Sequence, residues 1–206
     1  RGDARAKGYA GQAQALPMQI ERRFWREDRG LYMSYIGTAA HPVPFEGYDL
    51  LGLSLLIESG IAPEARARRA LGTYPMLDSG SPVIWPQQPG IAIYHNRAIW
   101  PFVSAYSLRA ARRVDDAGRI EREIRSILRG AALAGSNMEN YELVTQAVHV
   151  DDGALSGPVV NSPRQLWSVA GYLQMVMEGV FGLETDGTVA PKIPVALVPD
   201  LFGDRQ

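Results

Sequence analysis

The stretch from Tyr94 to Phe102 concentrates side chains that suit the binding of a sugar. It offers two aromatic rings, an imidazole, an amide and a guanidinium, from Tyr94, Trp100, His95, Asn96 and Arg97. A sugar ring presents apolar C–H faces and many hydroxyl groups, which aromatic faces and fixed hydrogen-bond donors can bind. The alternative interpretation is structural: His95 and Asn96 cap a helix, and Trp100 belongs to the core.

The same stretch is predicted to open a helix over residues 96–113, in which Ile99, Phe102, Tyr106 and Ala110 share one face. That spacing is typical of a buried stripe. We therefore expect the polar and aromatic groups on the first turn, at the rim of a pocket, with the rest of the helix in the core. The loop before it, residues 73–93, has no helical period, and a loop of this length is more often functional than idle.

Three further side chains are candidates for binding a sugar. Trp85 lies in the long loop, and Trp167 lies beside the apolar stripe of the last long helix, so that core packing explains Trp167 equally well. Asp49 opens an apolar helix, where it could complement the helix dipole or bind a hydroxyl group in a pocket.

Composition excludes several functions. The 206 residues carry a net charge of −1, so the chain lacks the basic surface that nucleic-acid binding requires. The longest apolar run, residues 50–57, is too short to cross a bilayer. The three histidines lie far apart and there is no cysteine, which makes a zinc site unlikely, and we expect no metal or cofactor. The absence of cysteine leaves a periplasmic, secreted or cytoplasmic location open.

Apolar periodicity and turn residues predict alternating buried and exposed helices. The chain opens abruptly within helical sequence, so we expect that its true start is missing. The first half is predicted to contain a helix over residues 4–25 that Pro17 kinks, a strand over 31–35, a buried helix over 48–58 and an exposed helix from Pro63. The helix over 96–113 is followed by a helix whose inward residues are Ile120, Ile124, Ile127 and Ala131, and by an extended piece over 138–150. The last long helix is predicted to start at Asn161-Ser162-Pro163, with one stripe formed by Leu166, Ala170, Leu173, Met177 and Val180, and strands and loops follow over 189–202.

The order of these elements favours a mainly α fold of three helix pairs joined by long loops, with short strands in the loops. Helical hairpins with long loops at one end are typical of an (α/α)6 toroid. Three pairs amount to half of such a ring, so we expect an incomplete toroid in this chain.

Four motifs in the same order resemble the six-hairpin, (α/α)6-barrel glycosidases, with the pattern nearest to the processing alpha-glucosidase I family and the debranching-type glucosidases. Residues 94–101 resemble their Y-H/W-N/R-G-x-I/V-W-P stretch, and residues 24–32 resemble their helix-to-strand passage F-W-x-x-x-x-G-L/F-Y. Glu139-Asn140-Tyr141 is similar to the E-N-Y-N-P-x-T-G segment, and residues 162–170 are similar to the start of the last inner helix, x-P-x-x-x-W-S-A-A.

The resemblance implies that residues 1–206 are the C-terminal part of an (α/α)6-barrel catalytic domain, with residues 189–206 as a possible strand and loop extension. It implies an inverting glycoside hydrolase that acts on an alpha-linked glucoside or a related oligosaccharide. Such chemistry needs two carboxyl groups about 6.5–9.5 Å apart, one acting as acid and one as base. Glu139 is the implied base, with Glu142 as the fallback. The acid, typically an aspartate on an earlier hairpin, is expected upstream of residue 1, so the implied partner is the missing N-terminal half of the barrel.

Two positions depart from the family pattern. Arg97 replaces a glycine, and this cation could bind a hydroxyl pair or an acidic substituent, or pair with an aspartate. After Tyr141 the chain continues Glu142-Leu143-Val144-Thr145 where the family has Asn-Pro, which affects the assignment of the base. Without the resemblance, the sequence predicts that Glu139 is a surface glutamate at the end of a loop.

Two other functions fit the same fold. One is a non-catalytic carbohydrate-binding or scaffold protein that lacks one of the carboxylates. The other is a glycoside phosphorylase, in which phosphate replaces the water and the base. Arg97 could be a phosphate ligand in such an enzyme, whereas a base at Glu139 argues against it.

Overall fold

A computed structural model describes Asp3 and residues 5–203, and it confirms the mainly α prediction. A six-residue π-helical turn, Met175–Val180, continues the sixth α-helix, and single 3-10 turns lie at Gly153–Leu155 and Val195–Leu197. The α-helices of the described part are α1 Arg5–Arg23, α2 Leu50–Glu58, α3 Glu64–Thr73, α4 Pro101–Arg113, α5 Ala117–Ala134, α6 Leu166–Gln174 and α7 Val198–Phe202.

Helix α4 lies at the centre of the packing, in contact with α2, α5 and α6. It is buried on almost every side because small residues let its neighbours approach from several directions; these are Ser104, Ala105, Ser107, Ala110 and Ala111. The larger Val103 and Leu108 fill the remaining space, and burying each such side chain stabilises the fold by about 1.5–3 kcal/mol. Since α2 and α6 both pack on α4, the three helices lie side by side.

Helix α5 is bounded by a capping residue at each end. Asp116 caps it, accepting a hydrogen bond from the Arg119 backbone N–H at 3.0 Å, and Gly135 ends it in the left-handed conformation at φ 61°. Ile120, Ile124 and Ile127 are buried as predicted, whereas Ala131 is only half-buried at the edge.

Six two-residue strands connect the helices in antiparallel pairs. Their bounds are β1 Trp25–Arg26, β2 Leu31–Tyr32, β3 Tyr48–Asp49, β4 Ile84–Trp85, β5 Ala98–Ile99 and β6 Tyr141–Glu142, paired β1 with β2, β3 with β4 and β5 with β6. Two hydrogen bonds of 3.0 Å, from the Leu50 N–H to the Val83 carbonyl and from the Val83 N–H to the Ala98 carbonyl, join the last two pairs. The result is a backbone ladder that crosses the N-terminal ends of α2 and α4.

The predicted start of the 96–113 helix is wrong. Ala98 and Ile99 form β5, and helix α4 begins only at Pro101. Trp100, which precedes this proline, is extended at φ −112° and ψ 110° because a residue before proline disfavours the helical conformation. The candidate sugar-binding residues 94–100 therefore precede the helix and do not form its first turn.

The predicted start of the last long helix is also displaced. Helix α6 begins at Leu166, after Arg164 adopts a left-handed φ of 55° that ends any helix from Pro163. Four of the five stripe residues are exposed to solvent, namely Leu166, Ala170, Leu173 and Met177, and only Val180 is buried. The buried face instead contains Ser168 and Gly171, since a Cβ on Gly171 would lie 3.1 Å from Phe102 Cα and only a small residue allows α6 to approach α4 so closely.

Three other elements differ from their predictions. Helix α2 buries one side and leaves Leu55 exposed, although its apolar sequence predicts burial all round. Helix α1 contains Pro17, as predicted, but ends at Arg23, and Trp25 of the predicted helix lies in β1. The strands predicted over 189–202 reduce to one bridge between Leu183 and Val189, and residues 195–202 are helical; residues 204–206 lie outside the described part. In the described residues no helix has the length and apolar character needed to cross a membrane.

Candidate functional site

Most of the candidate residues lie at the N-terminal ends of α2, α4 and α6. Asp49 is the N-cap of α2, Trp100 is the N-cap of α4, and Glu139 is bonded to Ser162, three residues before the N-cap of α6. Helix N-termini carry partial positive charge, which stabilises negative groups nearby. This end of the structure therefore suits an ionised carboxylate.

Glu139 is held in place on both its backbone and its side chain. Its N–H donates to the Ser162 carbonyl at 2.9 Å, and the Ser162 N–H donates back to Glu139 Oε2 at 3.0 Å. The Tyr94 phenol O–H donates a hydrogen bond of 3.1 Å to Glu139 Oε1. The residue is only 5% exposed, which contradicts the alternative of a surface glutamate. Both oxygens accept hydrogen bonds and retain lone pairs, so the carboxylate remains able to accept a proton from a water molecule.

Tyr94 links the carboxylate to a group of aromatic rings. Its backbone carbonyl accepts a 2.9 Å hydrogen bond from the Trp100 indole N–H, and its ring meets the edge of Trp100 with centroids 5.1 Å apart. His95 stacks parallel to Trp100 at 4.8 Å and is exposed. Burial raises the pKa of the Tyr94 phenol, and its hydrogen bond to Glu139 raises it further. The phenol therefore stays protonated at neutral pH and can donate this hydrogen bond.

Trp167 extends this group of rings from α6. Its ring stacks on Phe102 at 5.2 Å and lies 6.1 Å from Trp100. Trp100 is 4% exposed and Trp167 is 45% exposed. Trp100 is therefore a buried support, and Trp167 presents the accessible face. Phe102, which the sequence assigned to the core stripe of a helix, joins the two as a half-buried ring.

Asn96 binds the chain's own loop. Its Oδ1 accepts from the Gln88 N–H at 2.8 Å, and its Nδ2 donates to the carbonyls of Gln88 and Ile91 at 3.2 and 2.9 Å. The amide is buried, with 6% of the residue exposed. These contacts give Asn96 a structural role, which is to fold the loop before Tyr94.

Arg97 and Glu142 lie together on the β5–β6 pair. Arg97 Nη1 donates to Asp152 at 2.8 Å, and its Nη2 lies 3.7 Å from Glu142 Oε1. Of the roles open to Arg97 in the sequence, the pair with an aspartate is the one present in the structure. The backbone at Arg97 has φ 55°, a left-handed conformation that glycine adopts without cost. This conformation gives a physical reason for the glycine in the family pattern at the same position.

Glu142 holds a turn, which argues against it as the base. Its Oε2 accepts from the N–H groups of Val144 and Thr145 and from the Thr145 hydroxyl, at 2.8–3.0 Å. The residue is 2% exposed. Three hydrogen bonds on one oxygen, with Arg97 beside the other, leave Glu142 less free to accept a proton than Glu139, which accepts one bond on each oxygen.

Asp49 and Trp85 lie on the β3–β4 pair, apart from the rings around Glu139. Asp49 Oδ1 accepts from the Gly52 N–H at 2.6 Å and so caps α2, and burial raises the pKa of its carboxyl. It lines a separate, mostly apolar cavity of about 220 Å³ between α1, β2 and α2. Trp85 is half-buried opposite Tyr48. Within the described residues, the ring contacts of Tyr94, Trp100 and Trp167 do not include Trp85.

The sequence did not identify two contributors to the site. Ser162 positions Glu139 through its backbone, although the Asn-Ser-Pro signal predicted only a helix start. Asp152 binds Arg97, although the sequence analysis did not select Asp152 as a candidate. Both act across distances in sequence that no local pattern encodes. The described residues contain no group of three or more side chains suited to hold a metal ion.

Comparisons with known proteins identify no relative: no family model matches the chain, and no curated protein matches it. The likeness to the six-hairpin glycosidases therefore rests on the four sequence motifs alone.

Proposed function

We propose that this chain is the C-terminal part of an inverting glycoside hydrolase that cleaves an alpha-linked glucoside or a related oligosaccharide. Glu139 is the general base and draws a proton from the attacking water. Trp167 and His95 provide the faces on which sugar rings stack. The observation that carries the proposal is the enclosed carboxylate of Glu139, bonded to Tyr94 and Ser162 beside a group of aromatic rings.

The local environment suits a base. The Glu139 carboxylate accepts hydrogen bonds from the Tyr94 phenol and the Ser162 backbone N–H, which fix the orientation of its oxygens. Oxocarbenium chemistry also needs a second, protonated carboxyl group on the other side of the sugar. In this proposal that acid comes from the N-terminal half of the barrel.

The exposed apolar stripe of α6 supports the need for such a partner. Leu166, Leu173 and Met177 are 80%, 55% and 49% exposed. Contiguous apolar side chains on a helix usually face another element. We propose that the N-terminal half of the barrel, as another segment or chain, covers this stripe.

The decisive experiment replaces Glu139 with glutamine in the protein that contains both halves. Glu139→Gln should reduce the hydrolysis of alpha-glucosides by at least about a thousandfold while oligosaccharide binding persists, because the base is lost and the shape is kept. The matched control is Glu64→Gln, an exposed residue paired only with Arg68. Turnover by Glu139→Gln at the control rate would remove Glu139 from the mechanism, and NMR detection of the first product anomer would test inversion.

Carbohydrate binding without catalysis is the second candidate, favoured by the exposed ring of Trp167, which needs no acid to hold a sugar. In that case calorimetry should show oligosaccharide binding by the chain alone, with loss of binding in Trp167→Ala and no loss in Tyr9→Ala, another exposed aromatic residue. Binding without turnover in the protein that contains both halves would support this second function.

A further inference from the structure

A charged cavity lies at the C-terminal ends of the helices, at the opposite end from Glu139. It has a volume of about 250 Å³, smaller than the cavities that hold drug-sized ligands. Its lining includes Glu58 at the end of α2, Arg109, Arg112 and Arg113 in the C-terminal half of α4, Glu178 in the π-helical turn, and Lys192. We call it the arginine cavity.

Ion pairs within the protein explain the presence of only some of the cations that line the arginine cavity. Arg109 is shared by Glu58 and Glu178, at 3.4 and 3.2 Å, and Lys192 binds Asp115 and the Arg112 carbonyl. Cations at helix C-termini also complement the helix dipole. Arg112 and Arg113 lie in the last turn of α4 and complement this dipole, but Arg112 Nη1 has no hydrogen-bond partner and Arg113 has no ion pair among the described residues.

Arg112 is buried with part of its guanidinium unpaired. Its side chain is 7% exposed, and Nη2 binds Glu184 and the Ala190 carbonyl. Its Nη1 is buried and has no hydrogen-bond partner in the described structure. A buried charged donor without an acceptor is costly, and a bound anion would supply the acceptor that this nitrogen lacks. Arg113 forms no ion pair with any described residue and lines the same cavity.

The charge of the cavity favours an anion when Glu58 is protonated. Four cations then face three ionised carboxylates, those of Glu178, Glu184 and Asp115. Glu58 Oε1 is also buried without a partner, so a protonated Glu58 could donate a hydrogen bond to a ligand. Burial raises the pKa of Glu58 to about 7, which places this protonation close to neutral pH.

We propose that the arginine cavity binds the phosphate or carboxylate group of a small anionic molecule, with Arg112 and Arg113 as donors. The planar guanidinium fork is the side chain best matched to the oxygens of both groups. The site is independent of the proposed hydrolysis at the other end of the helices.

Calorimetric titration of the full chain tests the proposal. The probes are sulfate, a tetrahedral oxyanion, and acetate, a carboxylate; neither changes its charge between pH 6 and pH 8. We expect saturable binding of one anion per chain at pH 6 and weaker binding at pH 8, and the tighter probe identifies the group that the cavity prefers. Lack of saturable binding by both probes at pH 6 would overturn the proposal.

Variants locate the binding. Arg113→Gln should weaken binding about tenfold through the loss of one charge-assisted hydrogen bond. Arg112→Lys, which keeps the charge and loses the fork, should weaken it as well; if Arg112→Lys does not fold, Arg113→Gln decides alone. Glu58→Gln should bind as tightly at pH 8 as at pH 6. The control is Arg122→Gln, which removes an exposed cation from α5 and should bind like the unaltered chain. Equal affinity of Arg113→Gln and Arg122→Gln would exclude the arginine cavity.

Discussion

The Tyr94 phenol donates a hydrogen bond to Glu139 Oε1 at 3.1 Å, across 45 positions of sequence. The same tyrosine binds the Trp100 indole through its backbone carbonyl. Tyr94 therefore fixes the position of the carboxylate relative to the aromatic rings, in addition to any contact with a sugar.

The first prediction concerns this hydrogen bond. Tyr94→Phe should lower the free energy of unfolding by about 1 kcal/mol, because its hydrogen bond to the buried Glu139 is lost. It should also reduce kcat for alpha-glucosides more than it changes KM, since the carboxylate is less well positioned. Tyr106→Phe, on half-buried Tyr106 of α4, is the matched control and should leave both quantities unchanged. An unchanged kcat in Tyr94→Phe would show that the bond does not position Glu139.

The second prediction concerns the loop before Tyr94. Asn96→Ala removes three hydrogen bonds to Gln88 and Ile91 and leaves their backbone groups without partners. The free energy of unfolding should fall by about 2–3 kcal/mol in urea titrations. Asn137→Ala, at a half-buried asparagine with only a backbone bond to Gln165, should change it by less than about 0.5 kcal/mol. Comparable losses in the two variants would contradict the anchoring role of Asn96.

The third prediction uses the left-handed backbone of Arg97. Arg97→Ala loses the ion pair with Asp152 and keeps the strain, whereas Arg97→Gly loses the pair and relieves the strain. The glycine variant should therefore be about 1 kcal/mol more stable than the alanine variant. Thermal unfolding of both proteins measures the difference. A more stable alanine variant would be incompatible with the positive φ at this position.

The fourth prediction concerns pH and Glu58. Burial raises the pKa of this carboxyl from 4.5 to about 7, so its protonated form is favoured by folding. The resulting stabilisation is fully present below pH 4.5 and is lost as the pH rises through 7. The stability difference between the unaltered chain and Glu58→Gln should consequently shift by on the order of 2–3 kcal/mol between pH 4 and pH 8, to the disadvantage of the unaltered chain at pH 8.

Urea titrations across that range provide the measurement. The exposed Glu64, changed to glutamine, serves as a reference and should show no comparable shift. A stability difference for Glu58→Gln that stays constant from pH 4 to pH 8 would contradict the buried, protonated carboxyl.

Local sequence determined the elements whose signals agree with their surroundings. The apolar spacing of Ile120, Ile124 and Ile127, with Asp116 before it and Gly135 after it, specifies α5 because capping and burial favour the same boundaries. The hydrogen bond between Tyr94 and Glu139 joins two segments that, in the sequence, only the family resemblance related to each other.

Tertiary structure decided the outcome where the sequence allowed one residue two alternative roles. The sequence around Ser162 predicts a helix start. In the structure the Ser162 backbone instead forms a hydrogen bond with Glu139, and α6 begins only at Leu166. Gly171 turns α6 so that its small residues face α4 and its apolar stripe faces outward, because a close approach of two helices needs small side chains. Likewise, Asn96 could bind a sugar or its own loop, and only the position of Gln88 decides between them. Periodicity and composition determine which segments are helical and apolar, whereas long-range hydrogen bonds and helix contacts determine which faces and polar groups remain accessible.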